Sequence, residues 1–204
     1  MKINCSWSAL LVIGLALSFP SWTFAEGNAE AGSVKFESCA GCHAKPGYAN
    51  AVPRFEVPKL GGQQTAYLIT ALKAYAAGDR KHPGMRGNAE SLSTQDMEDL
   101  ATYLSSLKLG SNEDNISGIP STGKDQSVAC SACHGEDGNS ADPNFPRLAG
   151  QYQSYLIKAI QDYQNGKRTN PIMGGMAQTL SEQDIENITA FYADQKKGLT
   201  VVKR

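Results

Sequence analysis

The chain has 204 residues, room for one ordinary domain or two small ones. Its 19 Lys and Arg against 20 Asp and Glu give a formal charge of −1, without the clustered positive excess that a nucleic-acid footprint needs. An apolar share of 41% with 19% charged residues reads as a globular chain and excludes a disordered one.

Residues 1–25 read as a cleaved export leader. Lys2 supplies the positive start, Ala9 to Phe19 an unbroken apolar run, and Thr23-Phe24-Ala25 the small residues of a cleavage site after Ala25. The run is too short to cross a bilayer as a helix, so the expected location is the periplasm. Cys5 leaves with the leader, and four cysteines remain in an oxidising compartment. Two structural disulfides would be the ordinary expectation there.

The first unit is expected over 26–108. Gly32 opens a short segment that leads to Cys39-Ala40-Gly41-Cys42-His43. In such a motif the two thiols add across the vinyl groups of a haem, and the adjacent imidazole binds its iron. Zinc ribbons use paired Cys-x-x-Cys at closer spacing and without the trailing histidine, and a redox dithiol expects a βαβ setting. A loop rich in Pro, Asn and Gly follows, and then Gln64–Ala77 carries apolar residues at helical spacing (Tyr67, Leu68, Ala71, Leu72, Tyr75). Gly78 stands where a C-terminal cap glycine belongs. Met85 follows in Pro-x-Met, and Ser93 with Asp96 announces a last helix at capping-box spacing.

Leu109–Thr122, rich in Asn, Ser, Gly and Pro, reads as a linker over 109–122. The second unit, 123–204, writes the first again and ends in a short basic tail. Cys130-Ser131-Ala132-Cys133-His134 lies 91 residues after the first motif, and Pro146–Glu186 aligns without gaps to Pro58–Glu98. Twenty of those 41 positions are identical, which marks a duplicated unit. No alternating β pattern of any length appears, so the fold class is all-α, with each small core completed by a cofactor.

Identity between the copies filters what the unit needs. Met85 and Met173 are the matched methionines and are read as the second axial ligands opposite His43 and His134. Met97 aligns with Ile185 and is read as core, and His82 aligns with Asn170 and is read as a solvated loop residue. The carbonyls of Pro58 and Pro146 are candidates to accept the histidine Nδ1–H. Arg80 and Arg168 are candidates for haem propionates, against a solvated surface role. Tyr67 and Tyr155 read as pocket wall. Gln63 and Gln151 end the repeated Pro-[Lys/Arg]-Leu-[Gly/Ala]-Gly-Gln string, where a helix start and a pocket hydrogen bond are equally open readings.

Taken together, the two Cys-x-x-Cys-His motifs, PKLGGQ and PRLAGQ, and Pro-x-Met ahead of LSTQD and LSEQD resemble the dihaem cytochrome c4 family over essentially all of the exported chain. The resemblance implies two tandem class I cytochrome c domains with pseudo-twofold symmetry, two covalently bound haem c groups, and a periplasmic, sometimes membrane-associated, respiratory electron donor to terminal oxidases. One departure is visible: AKPGYANAVPRFEVPKL follows the first motif, where the second keeps the family's shorter GEDGNSADPNFPRL. The leading reading is a carrier between a quinol-oxidising complex or dehydrogenase and a terminal oxidase or reductase. The alternative is the haem subunit of a dehydrogenase, for example one oxidising a sulfur compound. A dihaem peroxidase requires an open iron, and the paired methionines speak against it.

Overall fold

The computed structural model describes residues 27–203 apart from 112, 113 and 115. The leader, its cleavage site and Cys5 lie outside the described residues. Among the described residues ten helices form two groups of five in the same order. In the first, α1 (Ala29–Lys35) runs into α2 (Glu37–His43), followed by α3 (Thr65–Ala77), α4 (Pro83–Ala89) and α5 (Thr94–Ser106). In the second, α6 (Pro120–Gln126) leads to α7 (Val128–His134), α8 (Gln153–Gln164), α9 (Pro171–Gln178) and α10 (Glu182–Ala193).

The local signals act where they stand. Gly78, at φ 83°, ends α3 in the left-handed conformation that glycine adopts at least cost. Ser93 with Asp96 and Ser181 with Asp184 form complete capping boxes, each serine Oγ accepting from the aspartate N–H at 3.1 and 3.2 Å. Such a cap stabilises a helix by about 1 kcal/mol. The repeated glycine before each motif is required by a close crossing of α1 on α5 and of α6 on α10. A Cβ on Gly32 would stand 2.0 Å from the Asp99 carbonyl oxygen, and one on Gly123 would stand 1.9 Å from that of Asn187. Asp99 fastens the first crossing by accepting from the Asn28 N–H at 2.8 Å and the Lys35 ammonium at 2.9 Å. Asn187 accepts from the Ile119 N–H at 3.0 Å in the second.

Two features depart from the sequence reading. The longer loop of the first copy contains a hairpin, β1 (Ala49–Ala51) paired antiparallel with β2 (Arg54–Glu56). Strands this short carry no readable alternation; what holds them is Phe55, 7% exposed, pressed against the other helix group. The expected basic tail is an interior strap. Residues 198–202 run along the seam between the groups, with Gly198 paired to Gly110 and Thr200 to Gly61. Leu199 is fully buried, and Val202 joins Phe36, Leu68, Leu100 and Leu104 in the core of the first group.

The seam also settles the role of the repeated glutamines. Gln63 receives the Arg147 N–H at 2.8 Å and donates to the Arg147 carbonyl at 3.0 Å. Gln151 receives the Lys59 N–H at 2.9 Å and donates to the Lys59 carbonyl at 3.0 Å. Lys59 and Arg147 reach across in turn, to the carbonyls of Gly150 and Gly62. Each copy of the string therefore serves as the hydrogen-bond partner of the other.

Candidate functional site

Each Cys-x-x-Cys-His motif lies on one short helix that ends on its histidine, so the two sulfurs and the imidazole stand within two turns. His43 and His134 are 8% and 6% exposed. Their Nδ1 atoms lie 3.0 Å from the carbonyl oxygens of Pro58 and Pro146. A carbonyl only accepts, so Nδ1 carries the proton and Nε2 keeps its lone pair free for a metal. Burial holds both imidazoles below their usual pKa against the upward pull of that hydrogen bond, which keeps them neutral.

The alternatives to haem find no support in the geometry. Among the described residues Cys39, Cys42, Cys130 and Cys133 form no disulfide, and burial raises the Cys39 and Cys130 thiols, the opposite of what a reactive dithiol needs. Among the described residues no three His, Cys, Asp or Glu side chains converge as a metal donor set.

Met85 and Met173 lie in the first turns of α4 and α9, each opened by a proline. Their backbone N–H groups are capped in the same way, Met85 by His82 Nδ1 at 3.1 Å and Met173 by Asn170 Oδ1 at 2.9 Å. His82 is thus a half-buried helix cap rather than a solvated loop residue. Met176, one turn further along, is 37% exposed.

A cavity of about 530 Å³ opens between α7, α8 and α9 and reaches the seam. Cys133, His134 and Met173 line it, with Leu148, Leu156 and Ile188 among its apolar walls. Tyr67, Arg80, Tyr155 and Arg168 line its inter-group end. Arg80 and Arg168 are 9% and 8% exposed, so neither is a solvated surface arginine. Arg80 donates to the hydroxyls of Tyr155 at 2.6 Å and Tyr67 at 3.4 Å, and Arg168 donates to Tyr155 at 3.2 Å. The two tyrosines are therefore more than pocket wall. Burial raises the Tyr155 hydroxyl, yet the two guanidiniums outweigh it and hold it below the usual phenol range.

These two cations are buried without an acidic partner among the described residues. Neither has a carboxylate in ion-pair range among the described residues, and the Nε of each is buried without a partner. Buried charge requires a counter-charge. A carboxylate-bearing prosthetic group in the cavity would supply it, so the residues present fit haem and its propionates.

Sequence reasoning missed Lys59, Arg147, Ser154 and Phe55. Each makes a contact across the seam to a residue more than 80 positions away, where no local pattern reports it. The equal spacing of Lys59 and Arg147 in the repeated string was the one signal available.

A protein-family profile for cytochrome c matches residues 29–108 and again 121–195. Among characterised proteins, the chain is 36% identical to cytochrome c4 of Stutzerimonas stutzeri, over 89% of this chain and 96% of that one. It is 32% identical to a thiosulfate dehydrogenase electron acceptor of Thiomonas intermedia, over 68% of each. Among solved structures, cytochrome c4 of Acidithiobacillus ferrooxidans superposes with a TM-score of 0.68 at 29% identity, covering 78% of this chain and 99% of that one.

Proposed function

Because the chain belongs to the cytochrome c family, and within it to the dihaem cytochromes c4, we propose that it shuttles single electrons in the periplasm, from a quinol-oxidising complex or dehydrogenase to a terminal oxidase or reductase. It is an electron carrier, and its cofactors are two covalently bound haem c groups. The observation that carries the reading is the same arrangement found twice: a histidine oriented by a proline carbonyl at 3.0 Å, and a methionine whose N–H is capped three residues back.

Cys39 and Cys42 would hold the first haem and Cys130 and Cys133 the second, through thioether bonds. His43 with Met85, and His134 with Met173, would take the axial positions. Bound haem supplies a one-electron ferric–ferrous couple. The chain does the rest. Pro58 and Pro146 fix tautomer and ring angle of each imidazole. The methionines offer a neutral soft sulfur that favours the reduced metal. Arg80 and Arg168 neutralise acidic groups at the seam. The apolar walls keep water out, so that little rearranges as charge changes.

No helix among the described residues is long and apolar enough to cross a membrane. Export rests on the leader, with cleavage proposed after Ala25, and peripheral association with a membrane partner is compatible with it. The likeness to a thiosulfate dehydrogenase electron acceptor favours one second reading, in which electrons arrive from a sulfur-oxidising dehydrogenase.

The test is carbon monoxide binding to the reduced holoprotein at neutral pH. Two six-coordinate irons should bind almost none, whereas rapid binding of one or two equivalents would show an open iron and reverse the carrier reading.

A further inference from the structure

The hairpin of the first unit has no counterpart in the second, and it touches three things at once. Its base hangs from the second unit: the Gly47 N–H donates to the Tyr152 hydroxyl at 2.9 Å, and the Glu56 N–H donates to Ser154 Oγ at 2.9 Å. The Ser154 hydroxyl returns a bond to the Glu56 carboxylate. Between these anchors, Phe55 turns inward beneath the Lys158 ammonium of α8, 5.6 Å from its ring centroid.

On its other side Phe55 meets His82 edge to face, with centroids 6.3 Å apart and planes at 83°. Tyr75 of α3 meets the same imidazole at 6.4 Å and 75°. His82 is therefore held between two aromatic rings, and its Nδ1 is the atom that accepts the Met85 N–H. In the second unit Asn170 makes the equivalent cap without a ring. The aromatic residue of that shorter loop, Phe145, faces the other way, toward the His134 imidazole.

We propose that Phe55 is a positioning residue for Met85: it fixes the His82 cap that aims the first methionine, and it ties that cap to α8 of the second unit. The proposal rests on Met85 being the axial ligand of the first haem. Its consequence is an inequality between two otherwise matched sites. The cap of the first methionine packs against a ring anchored on the second unit, whereas the cap of the second methionine has no such ring.

The experiment is displacement of methionine by imidazole in the ferric holoprotein, followed through the methionine–iron charge-transfer band. Phe55→Ala should let imidazole displace one methionine at about tenfold lower concentration, the scale of one lost aromatic pair, and leave the other unchanged. Phe55→Tyr should restore the wild-type titration. Ser154→Ala, on the opposite unit, should shift the same haem in the same direction by less. In a Met85→Ala background Phe55→Ala should have no further effect, since no methionine remains to be positioned there.

A shift at both haems, a shift persisting without Met85, or no shift at all would overturn the proposal. Should Phe55→Ala not fold, Phe55→Leu and Ser154→Ala carry the same comparison. Failure of the ligand reading is seen separately, as a methionine–iron band undiminished by Met85→Ala alone.

Discussion

Met173 and Met176 stand one turn apart in Pro171-Ile172-Met173-Gly174-Gly175-Met176, and both border the cavity. The cap favours Met173. Asn170 accepts the Met173 N–H just as His82 accepts that of Met85, whereas Met176 occupies the position of Asn88. Met173→Ala should remove half of the methionine–iron band, open the second iron to carbon monoxide and lower its potential. Met176→Ala should leave the band at full strength. The reverse pattern in the two variants would reassign the ligand. The proposed ligands could be named from sequence because the chemistry of Cys-x-x-Cys-His is local and the copies align without gaps. The cap was not legible, because His82 and Asn170 do the same work with different side chains, and identity between copies discards such a pair.

Helices were predictable as elements wherever a periodic face met a cap, as in α3, α5, α8 and α10. The strap at 198–202 was not, since its composition is that of an exposed end and its burial comes from partners far away in sequence, at Gly61, Gly110 and Ala149. Val202 is 1% exposed within a core built otherwise from residues 36–107. Val202→Ala should cost about 2 kcal/mol by loss of buried apolar area and the void it leaves. Denaturant unfolding read at the two haems should place the loss at the first, 100 residues and more from the substitution in sequence. Equal loss at both, or none, would show that the strap does not support the first core.

At the scale of the molecule, two units with their own ligands are expected from sequence to be separately competent. The seam qualifies that independence: Gln151, Arg147 and Val202 serve the first unit from the second. Cys130→Ala with Cys133→Ala in the full chain should still yield one covalent haem, found by mass on a peptide containing Cys39 and Cys42. Excised residues 26–108, lacking those supports, should unfold at a lower denaturant concentration than the first unit does within the full chain. Equal midpoints would mean that the seam contributes no stability to it.

The exchange between Gln63 and Gln151 has a further consequence, for how many such units can join. A contact in which each side gives what it receives is isologous: it uses the same patch on both members and is complete when two have met. Head-to-tail contacts leave a free face at each end and can extend into chains. Here both copies of the patch are spent on one another, and the strap runs along the join. A third repeat added to this sequence would find no vacant surface of that kind, so the architecture closes at a pair.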